Sequence, residues 1–176
     1  MSVQKAVSKA GKILDMCWDG RLPVNPKALA ENLLVRDYGR ANGGKIPVVV
    51  KARSSQHLEG ASGQARLRHD DEDGWYYLCE FNRDEISYRT RFTLAHELGH
   101  VVLGHVTDER SPKRDTTFAN DDPDERYANA FAAALLMPEK FVRKLYRSAR
   151  DIQQLAEAFG VSTAAMRFRL KNLGII

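Results

Sequence analysis

Cysteine is nearly absent from this chain: Cys17 and Cys79 are the only two in 176 residues, and neither has a second Cys or a His at metal-ligand spacing nearby. That excludes a disulfide-stapled scaffold and a thiolate zinc site. Cys17, in a predicted helix, and Cys79, in a predicted strand, read as reduced core or near-core thiols. A long apolar run is missing too. The apolar run at Phe131 to Met137 is far too short to span a bilayer, so no membrane partner is expected. The first ten residues interleave apolar and polar residues and lack the continuous apolar segment of a secretory signal. Cytoplasmic residence is the expectation. There is no internal repeat and no low-complexity segment. What is present is ordinary for a globular protein, 43% hydrophobic and 28% charged residues, in a chain long enough to bury one sizeable core.

Charge is spread unevenly. The formal net charge is +4, yet Pro138 to Ile176 carries +5 and everything before it nets −1. A basic tail on a near-neutral body suits an anionic partner, nucleic acid included, but a solvated helix face produces the same count.

Apolar spacing organises the chain into an α+β domain. Val7, Ala10, Leu14 and Cys17 predict an amphipathic helix from Val3 to Trp18. Asn25 followed by Pro26 has the form of an N-cap and first helical residue, opening a short helix through Leu33. After a turn at Asn42-Gly43-Gly44, strands are predicted at Ile46–Lys51, Ala65–Arg68 and Trp75–Phe81, the last two joined by the Asp70-Asp71-Glu72-Asp73-Gly74 turn. They read as a small antiparallel sheet packed on helices. Ser87 to Leu103 is helical, with Phe92, Ala95, Leu98 and Val102 on one side. An acidic, proline-containing stretch from Gly104 to Pro123 reads as a surface loop able to act as a lid. Helices resume at Asp124–Met137 and from Pro138 to about Ser148. A last pair, Ile152–Phe159 and Thr163–Leu173, joins at Gly160. The division expected is a body of residues 1–149 and a helix-turn-helix-like pair in 150–176, docked on the same domain.

His96-Glu97-Leu98-Gly99-His100 carries the chemistry. A four-residue helical step turns a side chain by only about 40°, so both imidazoles face one way, as two nitrogen ligands on one tetrahedral zinc must. Glu97 then reaches a metal-activated water from the side. The bland alternative is an exposed His-Glu-His helix face; the apolar flanks Phe92-Thr93-Leu94-Ala95 and Val101-Val102-Leu103 argue against it.

A third ligand has three candidates. His105 is near in sequence, but a continued helix would turn it roughly 140° from His100, and Gly104 suggests that the helix stops first. Glu125 is favoured: it starts a second apolar helix able to pack on the first and aim a carboxylate at the metal. Asp124 is a more distant choice. Asn129, four residues beyond Glu125, shares its face and can accept a hydrogen bond from a ligand imidazole. Since acids favour helix N-termini anyway, Glu125 also has a purely structural explanation.

Arg91-Phe92-Thr93-Leu94-Ala95 before the histidine motif, then Glu125-Arg126-Tyr127-Ala128-Asn129-Ala130-Phe131-Ala132, then Leu135-Leu136-Met137-Pro138, resemble the ImmA/IrrE family of metallo-endopeptidases. The likeness is sharpest from Arg91 to Pro138 and extends in layout from about Pro23 onward. It implies a zincin-like minimal metalloprotease fold of gluzincin type and one Zn2+ per chain held by His96, His100 and Glu125, with Glu97 as catalytic base. It also implies a protein substrate of a particular kind, a helix-turn-helix repressor whose cleavage relieves silencing in a prophage, mobile element or stress response. Family members often carry a further Glu where this chain has Tyr127, a departure that strengthens Glu125. For the oxyanion, Tyr88, Arg89, His105 and Tyr127 are candidates without a spacing argument. The Trp75–Phe81 strand is a candidate for pairing with an extended peptide.

Two rival readings come from other classes. The tail from Leu155 to Met166 has helix-turn-helix spacing, with Arg167, Arg169 and Lys171 on its second helix, which suits contact with DNA. Alternatively, the chain binds a repressor without cutting it. Oligomeric state and the scissile bond leave no sequence signature.

Overall fold

Ser2 opens the fold by accepting a hydrogen bond from the backbone N–H of Lys5, which caps helix α1 (Val3–Cys17). The computed structural model describes residues 1–40, 43–107 and 122–176. Ala6, Ala10, Ile13 and Leu14 form the buried stripe of α1, while Val7 and Cys17 are only partly buried. Asn25 caps α2 (Pro26–Glu31) through its Oδ1, which accepts from Lys27 and Ala28. Asn42 of the expected glycine turn, and the acidic segment from 108 to 121, lie outside the described residues.

Four strands follow: β1 (Leu34–Arg36), β2 (Lys45–Arg53), β3 (Gly63–Asp70) and β4 (Gly74–Asn82). Their order is β1-β2-β4-β3. The sheet is therefore mixed, not antiparallel as the sequence predicts. β3 and β4 form the expected hairpin, with Asp70 Oδ1 accepting from the N–H groups of Glu72 and Asp73. β4, however, inserts between β3 and β2 and runs parallel to β2, pairing Val48 with Tyr77 and Val50 with Cys79. Residues 54–62 make this arrangement reachable. They carry the chain across two strand spacings, about 10 Å, and bury Leu58 and Ala61 on the way. β4 thus has a strand on both sides, which removes the Trp75–Phe81 segment as a docking edge; the outer strand on that side is β3. β1 is tied in by Tyr77, whose hydroxyl donates to the carbonyl of Arg36 and accepts from the N–H of Tyr38.

Helix α3 (Ser87–Leu103) has the bounds that its apolar spacing predicts and ends at Gly104, in the left-handed conformation at φ 82°. Next come α4 (Pro123–Leu136), α5 (Glu139–Ala149), α6 (Ile152–Phe159) and α7 (Thr163–Asn172). Gly160 ends α6 at φ 62° and turns the chain into α7. Leu155, Phe159, Met166 and Leu170 of this last pair lie in the same buried cluster as Leu98, Phe131 and Leu135. Arg91 of α3 clasps the pair to the body by donating to the carbonyls of Gly160 and Val24. No helix among the described residues is long and apolar enough to cross a membrane.

Candidate metal centre

Packing of α4 against α3 assembles the centre. Gly99 lies at the crossing: a Cβ there would stand 3.3 Å from the backbone of Ala128 and 3.1 Å from the ring of Phe131. This close approach sets the start of α4 beside the two histidines. Asp122 caps α4 by accepting from the N–H of Asp124, and Pro123 takes the first turn. Glu125 consequently points inward from that turn, with Oε2 3.0 Å from His96 Nε2 and Oε1 3.3 Å from His100 Nε2. The two Nε2 atoms are themselves 3.0 Å apart. His96, His100 and Glu125 thus offer three ligand atoms within 4.8 Å of one another. His96, Glu97 and Glu125 are buried, and His100 nearly so.

The proton positions give this cluster its chemical meaning. His96 Nδ1 is 2.9 Å from Asn129 Oδ1, an atom that can only accept, so the imidazole proton sits on Nδ1 and Nε2 presents a lone pair. Glu125 Oε2 lies directly opposite and is buried. Burial pushes the Glu125 carboxyl pKa up, but the adjoining imidazoles of His100 and then His96 outweigh it and hold the group well below the usual carboxylate range. Burial is also the largest influence on His100 and lowers its pKa, favouring the neutral ring. Two imidazole nitrogens and a carboxylate converge on one point, and that donor set suits zinc.

Glu97 sits beneath the first residue of β3. A Cβ on Gly63 would lie 3.2 Å from Glu97 Cγ, 2.5 Å from Thr93 Cγ2 and 2.8 Å from the carbonyl of Glu80. Glycine here brings the outer strand against the helix at Glu97, a relationship with no motif to announce it.

The remaining candidates separate clearly. His105 is not in the three-atom group; its Nδ1 lies 3.1 Å from the far nitrogen of His100, and its Nε2 lies 3.4 Å from Asp124 Oδ1. Tyr127 stands beyond His105, ring centroids 6.5 Å apart. Arg89 pairs with Glu85 and Ser62, and Tyr88 is exposed. In the tail, Arg167 and Lys171 face solvent, but Arg169 is buried and donates to the carbonyl of Met137. One of the three cations that suggest DNA contact is thus part of the packing.

The peptidase M78 family model, described as the IrrE N-terminal-like domain, matches residues 61–171. Among solved structures, a transcriptional regulator of Mycobacterium tuberculosis superposes with a TM-score of 0.56 at 20% identity, covering 95% of this chain and 46% of that one. The likeness is one of fold, and this chain spans about half the length of that relative. No curated protein matches the sequence significantly.

Proposed function

From the premise that the chain belongs to the peptidase M78 family of IrrE N-terminal-like domains, the ImmA/IrrE family, we propose that it is a zinc-dependent endopeptidase. In this reading His96, His100 and Glu125 hold one zinc ion per chain, and Glu97 is the catalytic base. The observation that carries it is the buried Glu125 carboxylate facing His96 Nε2 at 3.0 Å and His100 Nε2 at 3.3 Å.

When bound, zinc supplies a Lewis acid that lowers the pKa of water toward neutrality and polarises a carbonyl. Glu97 accepts the proton of the attacking water and hands it to the leaving amine, a general-base and then general-acid role worth about 10²–10⁴-fold. Asn129 holds His96 in the tautomer that a metal-ligating Nε2 requires. Extended substrate pairs along β3, the outer strand, whose Gly63 end abuts Glu97. The substrate class, a helix-turn-helix repressor, follows from the family resemblance, as does regulation of transcription by its removal. Cytoplasmic residence belongs to the same proposal and agrees with two free thiols.

The test is Glu97→Gln, assayed with zinc-loaded protein on denatured casein and on the helix-turn-helix repressor encoded nearest to this gene. Zinc retained with cleavage lost supports the reading. Cleavage by Glu97→Gln at the wild-type rate contradicts it, and repressor binding without cleavage by the wild type would establish the non-cleaving alternative.

A further inference from the structure

We infer that His105 and Asp124 form an outer chain that positions His100 for the metal; the inference rests on the zinc reading above. Gly104 is where it begins. Its left-handed conformation ends α3 in a turn that bonds the N–H of His105 back to the carbonyl of His100, at 2.9 Å. The same turn folds the His105 ring against the side of His100 that faces away from Glu125, with Nδ1 to Nδ1 at 3.1 Å and ring centroids 5.2 Å apart.

Only one proton fits between two Nδ1 atoms. If His100 is to offer its Nε2 lone pair to zinc, the neutral ring must carry its proton on Nδ1 and donate it to His105 Nδ1. His105 then carries its own proton on Nε2, which faces Asp124 Oδ1 at 3.4 Å. In that one arrangement His100 donates to His105, and the His105 Nε2 proton is within ion-pair reach of Asp124 Oδ1. The first turn of α4 therefore acts twice: Glu125 faces the two ligand nitrogens directly, and its neighbour Asp124 anchors the residue behind His100. Asn129 does for His96 what His105 does for His100, so each imidazole has an acceptor behind it.

These are positioning residues, and what they set is the metal affinity. Losing such a partner weakens zinc binding about 10–100-fold. The experiment is chelator competition for zinc on the full chain, comparing His105→Leu with His105→Asn, each also melted in EDTA. Asn offers Oδ1 as an acceptor in the place of Nδ1; Leu fills space and accepts nothing. The expected result is a 10–100-fold loss for His105→Leu, affinity near wild type for His105→Asn, and similar melting of the two metal-free variants. Equal affinity in the two variants, whether both weak or both strong, overturns the inference. Should His105→Leu fail to fold, Asp124→Ala serves, with a smaller loss expected and an unchanged affinity counting against the chain. Absence of zinc from the wild type is a different outcome, since it removes the metal reading itself.

Discussion

Gly99 of α3 meets Ala128 of α4 at a distance where a Cβ would stand 3.3 Å from the Ala128 Cα and carbonyl oxygen, and this contact fixes how far Glu125 lies from the two histidines. Gly99→Ala adds about 1 kcal/mol of helix propensity, but the Ala128 backbone must give way by a few tenths of an ångström. The expected outcome is little change in melting temperature with a several-fold weaker hold on zinc, read by thermal unfolding beside chelator competition. Gly99→Val, with two further carbons at the same contact, should cost stability as well.

Gly63→Ala acts on the other side of α3. Its Cβ would press on Thr93 Cγ2 at 2.5 Å and on the Glu80 carbonyl at 2.8 Å, backbone that cannot swing aside. Overpacking of this kind costs about 1–3 kcal/mol. Because Glu97 is displaced and the ligand atoms are not, peptidase activity should fall while zinc content stays at the wild-type level. Loss of zinc and activity together would place the strain elsewhere.

Arg169 is expected to behave unlike its basic neighbours. Arg169→Ala leaves the Met137 carbonyl without its donor in a buried setting, at a cost of about 1–3 kcal/mol. Arg167→Ala and Lys171→Ala, at exposed positions, should stay within about 0.5 kcal/mol. Urea unfolding of the three variants distinguishes them, and equal effects would contradict the packing role.

Much of the centre is legible in the sequence because its main parts are local. The two-His spacing on a helix with apolar flanks predicts Ser87–Leu103, the bounds of α3, and the apolar run after Glu125 predicts the helix that faces it. What the sequence does not carry is non-local pairing. Consecutive strands read as hairpins, whereas β4 docks beside β2 because residues 54–62 reach over it. β1 has only Leu34, Val35 and Arg36, too few for a period to show. His105 is weighed on the supposition that the helix either continues or stops; the structure adds that the turn at Gly104 folds it back onto His100. Arg169 reads as one of a basic series because periodicity along α7 does not reveal that α4 ends against it.

A zinc ion on His96, His100 and Glu125 is best sought by elemental analysis of untagged, dialysed wild type and Glu125→Ala. About one zinc per chain is expected in the wild type and loss of the metal in Glu125→Ala, with the chain still folded. A wild type that neither contains nor takes up zinc, or a Glu125→Ala variant that keeps it as tightly, would rule out this metal centre.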